Sequence, residues 1–89
     1  MMIRTAGDLG AHVRHQRNSR KMSQQALAQQ AGVSVRWLKS LEAGKSSVEL
    51  GLVLRTLMAL GDIISVIDSP PHTGIDLDDV LRRFEREAT

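Results

Sequence analysis

The chain has 89 residues, which is enough for one small domain and a short tail but not for a second core. Hydrophobic residues make up 42% and charged residues 25%, as in globular proteins, and the absence of cysteine excludes disulfides, cysteine-ligated zinc and thiol chemistry. Aromatic residues are only 2%, which argues against a platform for stacking single-stranded bases, and no apolar run reaches the roughly 18–20 residues of a membrane span.

Charge is divided unevenly along the chain. Residues 1–45 carry eight basic and two acidic side chains, a net charge of +6. Residues 46–89 carry four basic and eight acidic side chains, a net charge of −4. A basic half suggests a polyanionic partner and an acidic half a different neighbour, although two ordinary solvated surfaces would give the same balance.

Capping residues and apolar spacing predict four helices in the first 61 residues. The first should fade near residues 18–20, the second should cover residues 24–31, and the third should run to about residue 43. Their predicted N-caps, which share a short polar side chain, are Thr5, Ser23, Ser34 and, for the fourth helix, Ser46 or Ser47. The glycines predicted to end the last three helices are Gly32, Gly44 and Gly61.

The pattern changes after the fourth helix. A short β-branched run predicts a strand made of Ile63, Ile64, Ser65, Val66 and Ile67. One strand is not stable alone and no second strand is visible in the sequence, so its simplest partner is the same strand of another copy. Residues 70–74 are predicted to form a linker. A last amphipathic helix should begin at Asp76, with the apolar stripe Leu77, Val80, Leu81 and Phe84.

Two short helices joined by a tight turn are predicted over residues 24–42. Ala28 is small where the two helices would cross, and Gly32 allows a left-handed turn between them. Val33, Leu38 and Leu41 are spaced to face inward. Short, polar and basic side chains are predicted to face outward from the second of the pair: Ser34, Val35, Arg36, Lys39 and Ser40. This pattern predicts a helix-turn-helix whose second helix enters the DNA major groove.

The same residues resemble a known family. The motif is Ser23-Gln24-x-x-Leu27-Ala28-x-x-x-Gly32-Val33-Ser34-x-x-x-Leu38-x-x-x-Glu42-x-Gly44. It resembles the phage-repressor-like (Cro/C1, Xre-type) helix-turn-helix family, and the order and lengths of the helices extend the resemblance over about residues 5–61. One departure is Ala26, where the family often has Glu. This change removes one surface charge.

A closer resemblance is to the HipB-type antitoxins. It is carried by residues 48–55, by the strand that follows the fourth helix, and by the tail at residues 74–78. The resemblance implies a homodimer joined through that strand, binding to operator palindromes, and inhibition of a HipA-like kinase toxin.

Several side chains are candidates for contacts with DNA. Arg36 is the best candidate for a base contact, because a guanidinium can bind guanine O6 and N7 together, although it could instead bind a phosphate. Val35 could contact only a thymine methyl group. Gln24 opens the second helix, where its side chain and the helix-end amides can meet a phosphate. Lys39 and Lys45 are candidate phosphate contacts or simply solvated lysines, and Ser34 and Ser40 complete the candidate set.

Other notable residues are interpreted as structural. The resemblance implies a salt bridge between Arg17 and Glu42, and it places Trp37 at the edge of the third helix. His12 and His15 have a spacing that could bind a metal, but no third ligand lies nearby in the sequence, so they are interpreted as surface histidines. No catalytic constellation, metal site or cofactor motif is recognisable.

The sequence therefore predicts an all-α, four- to five-helix, phage-repressor-like protein with a C-terminal dimerising β-strand. Residues 1–61 form the DNA-binding domain, residues 62–69 the dimerisation strand, and residues 70–89 the linker and last helix. The predicted function is repression by a cytoplasmic, nucleoid-associated homodimer that binds double-stranded operator DNA and neutralises a HipA-like kinase. The alternatives are a plain phage-like or metabolic repressor without a toxin, and a protein-interaction module that does not bind DNA.

Overall fold

The structure, a computed structural model, describes residues 2–68 together with Arg82 and Glu85. Four α-helices occupy this part of the chain: α1 (Ala6–Ser19), α2 (Gln24–Ala31), α3 (Val35–Glu42) and α4 (Leu50–Ala59). None of the helices in the described residues is long and apolar enough to cross a bilayer.

Three of the four predicted N-caps are confirmed. The side-chain oxygens of Thr5, Ser23 and Ser34 each accept a hydrogen bond from the backbone N–H three residues later, at 3.0 Å. This bond satisfies one of the free N–H groups at a helix start. The predicted ends at Gly32, Gly44 and Gly61 are also confirmed, since all three have a positive φ.

The predicted start of the fourth helix is wrong. α4 begins at Leu50, and its N-cap is Glu49, whose side chain makes no capping bond, rather than Ser46 or Ser47. Val48 packs against the core within the preceding loop. Partial burial of this apolar side chain is worth about as much as a serine cap, and the chain becomes helical only after it.

The core is apolar and draws on all four helices. α2 packs against both α3 and α4, and α1 packs against α3. The core residues are Val13, Leu27, Ala28, Leu38, Leu41, Val53, Leu57 and Leu60. This arrangement leaves one flank of α3 outside the core, so the flank is available for contacts with another molecule.

A close approach of backbones joins α1 to the end of α3. Gly10 is buried in α1, and a Cβ atom at this position would collide with the carbonyl oxygen of Leu41 and would lie 2.8 Å from that of Glu42. Both obstacles are backbone atoms, which cannot rotate away as a side chain can. Only glycine therefore fits at this crossing.

The predicted strand is absent from the described structure. Residues 62–68 form no β-ladder within the single chain, and the described residues contain no other strand with which they could pair. A strand exists only when a partner accepts and donates its backbone hydrogen bonds, and residues 2–68 supply none. Pairing with a second copy therefore stays a prediction. The predicted linker lies outside the described residues. Of the predicted last helix only Arg82 and Glu85 are described, and both are helical.

Candidate nucleic-acid interface

The turn between α2 and α3 is held by main-chain and side-chain contacts. Gly32 adopts the left-handed conformation, with φ of 72°, and the N–H of Val33 donates to the carbonyl of Ala28 at 3.0 Å. From α4, Nη2 of Arg55 donates to the carbonyl of Gly32 at 3.0 Å. These contacts fix the angle between α2 and α3, which determines how far α3 projects from the body.

The outer flank of α3 carries basic and polar side chains. Ser34, Arg36 and Lys39 are exposed, and Lys45 is exposed just beyond the helix. Within the described part of the chain, the side chains of Arg36, Lys39 and Lys45 have no hydrogen bond or ion pair. Two cations on this flank, Arg36 and Lys39, and a third beyond the helix end, Lys45, are available to bind an anion.

Two of the predicted outward-facing residues are less exposed than expected. Val35 is half-buried and packs against the core, because it lies three residues before Leu38 and so shares the inward face of α3. Ser40 is half-buried, and its hydroxyl donates to the carbonyl of Arg36 at 3.2 Å. The outward assignment of Val35 was wrong, and the flank is formed chiefly by Ser34, Arg36 and Lys39.

Glu42 is the centre of a polar network behind this flank. Its side chain is only 1% exposed and accepts from Nε and Nη2 of Arg17 at 2.8 and 3.0 Å. Nη1 of Arg17 donates to the carbonyl of Met22 at 2.9 Å. The hydrogen bond to Glu42 raises the pKa of Arg17 above its ordinary value against the opposing effect of burial, so the guanidinium stays protonated. The pair joins α1, the loop before α2, and α3.

The predicted phosphate contact Gln24 belongs to the same network. Its Nε2 donates one hydrogen to Oε1 of Glu42 at 3.3 Å, so the second amide hydrogen remains for a phosphate. Sequence reasoning missed Arg14, whose Nε lies 3.7 Å from the same oxygen while its side chain is 60% exposed. The signal was its position three residues before Arg17 on α1, which places both arginines on one face.

His12 is not the surface histidine that was expected. Its Nε2 lies 2.8 Å from Oδ2 of Asp62, and Nε2 of Gln16 donates to Oδ1 of the same carboxylate at 3.1 Å. The residues are 46 and 50 positions apart, so spacing along the chain could not reveal the contact. Within residues 2–68, Arg82 and Glu85, no group of three histidines and acidic residues is placed to hold a metal ion.

Comparison with known proteins agrees with this geometry. Residues 8–61 match the helix-turn-helix domain family. A relative from Sinorhizobium fredii (strain NBRC 101917 / NGR234), the "Uncharacterized HTH-type transcriptional regulator y4mF", is 42% identical over 65 residues, which span 73% of this chain and 86% of the relative.

Solved structures show the same fold. The structures described as "HipB-O4 20mer complex" and "MDT Protein" each have a TM-score of 0.72 and 17% sequence identity, and the match covers 79% of this chain and 99% of theirs. The expected resemblance to HipB is thus confirmed at the level of the fold. The chain belongs to the helix-turn-helix family of DNA-binding transcriptional regulators.

Proposed function

We propose that this protein is a homodimeric repressor that inserts α3 into the DNA major groove at each half of an operator palindrome. The observation that carries the proposal is the outer flank of α3, where Arg36 and Lys39 are exposed and have no partner within the described residues. Leu38 and Leu41 on the opposite side are buried, which fixes the rotation of the helix about its own axis. A protruding basic helix is suited to this groove, which admits a helix between two rows of phosphates.

The side chains of the flank divide into two roles. Arg36 would make a bidentate contact with a guanine, which would supply sequence selectivity. Lys39 and Lys45 would bind phosphates, which supply affinity that decreases as the salt concentration rises. Ser34 keeps its hydroxyl proton for a further contact, because the capping bond uses only its oxygen as an acceptor.

Replacing Arg36 with alanine should weaken binding to the operator by about 1–3 kcal/mol without changing the melting temperature. The operator is first isolated by pulling down genomic fragments with the wild-type chain, and affinity is then measured at fixed salt. Arg4→Ala is the matched control, because Arg4 is also exposed but precedes α1. Equal affinities for the two variants would remove Arg36 from the interface.

Dimerisation is supported by the exposure of apolar side chains after α4. Ile63 is 91% exposed, Val66 88% and Ile64 50%. Exposure of this apolar area to water costs free energy, which burial against a partner would recover. The unpaired backbone of the same segment would gain a ladder by pairing with a second copy. Two copies joined there would present two α3 helices, as a palindromic operator requires.

The full chain should therefore have twice its 9.8 kDa mass at micromolar concentration in sedimentation equilibrium. Val66→Asp should shift it towards the monomer, because the variant would bury an unpaired charge in the joined segments. Ser47→Asp adds the same charge at an exposed position outside the segment and should stay dimeric. A monomeric wild-type chain would contradict the proposal.

We further propose that the protein is the antitoxin of a HipA-like kinase and represses its own operon. The shared fold with HipB, over 79% of this chain, supports this part of the proposal. A kinase encoded beside this gene should co-purify with the full chain, and removal of residues 70–89 should show whether the tail provides the contact. DNA binding with no kinase partner would favour a plain repressor, and a dimer that binds no DNA would favour a protein-interaction module.

A further inference from the structure

One polar cluster joins α1 to the chain just after α4. Both carboxylate oxygens of Asp62 are engaged by α1: Oδ2 lies 2.8 Å from Nε2 of His12, and Oδ1 accepts from Nε2 of Gln16 at 3.1 Å. The side chains of His12 and Asp62 are only 19% and 21% exposed. We call these three residues the Asp62 clamp.

The main chain of Asp62 is fixed as well. Its N–H donates to the carbonyl of Leu57 at 2.8 Å, and the N–H of Gly61 donates to that of Met58 at 3.0 Å. With φ of 78° at Gly61, these bonds form the closing turn of α4. Asp62 is therefore bound to α4 through its backbone and to α1 through its side chain.

No comparable restraint follows along the chain. Among the described residues, 63–68 make no hydrogen bond to the helices, and Ile63 and Val66 are almost fully exposed. Asp62 is thus the last residue before 63–68 that both its main chain and its side chain hold in place. Asp62 is the residue from which residues 63–67 leave the helices.

We propose that Asp62 is a positioning residue, whose clamp to His12 and Gln16 sets the orientation of each helix-turn-helix unit relative to the dimerising segment. This proposal rests on the proposed homodimer. Recognition of a palindrome requires the two α3 helices to be about one DNA turn, roughly 34 Å, apart. A small rotation at the junction would be amplified across the width of the domain, so a rigid junction is needed to keep one half-site spacing.

The test measures the distance between protomers in the free dimer, without DNA. The chain has no cysteine, so Ala43→Cys, at the exposed C-cap of α3, gives a single site for a nitroxide spin label. Pulsed dipolar spectroscopy on the full labelled chain then gives the distribution of distances between the two labels. The labelled chain is the parent for Asp62→Ala and for the matched control Asp68→Ala. The control removes the same charge from an exposed residue that follows residues 63–67.

The parent and the Asp68→Ala variant should give one narrow distribution. Asp62→Ala should broaden it about twofold or more, because loss of hydrogen bonds to a charged group shifts a local open–closed equilibrium by about 10- to 100-fold. Gln16→Leu is a second variant of similar size. It removes the amide that donates to Oδ1 of Asp62, should broaden the distribution in the same way, and serves if Asp62→Ala fails to fold.

The outcomes separate the clamp from the dimer. Distributions as narrow as that of the parent in both Asp62→Ala and Gln16→Leu would overturn the clamp and leave the homodimer intact. If the parent chain shows no dipolar interaction between two labels, no dimer is present, and both the homodimer and the clamp would be overturned.

Discussion

Replacing Arg17 with methionine should lower the free energy of unfolding by about 3 kcal/mol. Glu42 would keep its charge in a position where its side chain is 1% exposed, with only Gln24 at 3.3 Å and Arg14 at 3.7 Å left nearby. The carbonyl of Met22 would also lose its donor. A domain of this size has little stability in reserve, so the change in urea denaturation should be large.

A double-mutant cycle tests the physical cause of this loss. Adding Glu42→Gln to Arg17→Met removes the buried charge, so the double variant should lose less stability than the sum of the two single variants, by about 1–3 kcal/mol. Arg4→Met, which changes an exposed arginine in the same way, should have almost no effect on stability. Strictly additive losses would show that the ion pair does not carry the stability assigned to it.

The network also bears on DNA binding, because it joins the start of α2 to the end of α3. Gln24, at the first residue of α2, is held by the same carboxylate that pairs with Arg17. Loss of the pair would therefore free both the candidate phosphate contact and the end of α3. In the proposed complex, Glu42 would support the interface from behind rather than touch DNA.

Replacing Gly10 with alanine should destabilise the protein by about 2–3 kcal/mol. The new methyl group would collide with the carbonyl of Leu41, and relief requires α1 and α3 to move apart along their whole crossing. The higher helix propensity of alanine offsets only about 1 kcal/mol of this cost. Thermal or urea unfolding measures the net loss.

Gly51→Ala is the matched control for this substitution. Gly51 lies within α4, and a Cβ atom there would meet nothing within 4 Å. Only the higher helix propensity of alanine then remains, so the free energy of unfolding should rise by about 0.5–1 kcal/mol. Gly10→Ala with the same gain would show that α1 and α3 can separate freely.

The helix-turn-helix arrangement of α2 and α3 was predictable in outline, because the residues that indicate it act on near neighbours in the chain. Ser23 and Ser34 cap their helices through hydrogen bonds that span only three residues. Gly32 needs no distant partner to adopt a positive φ. The family resemblance added the pairing of Arg17 with Glu42. Spacing alone does not predict this pair, because the two residues are 25 positions apart. The capping rules failed at α4, where the burial of Val48 decided the start.

The sequence by itself thus determined the order of the helices, three of their caps, and the basic character of α3, because each depends on residues within one or two turns. Only the tertiary structure decided which side chains meet across the fold. It turned Val35 inward, required glycine at residue 10, and brought His12 and Gln16 to Asp62. The physical reason is that packing selects contacts by distance in space, and a linear pattern does not encode this distance when the partners lie on different helices.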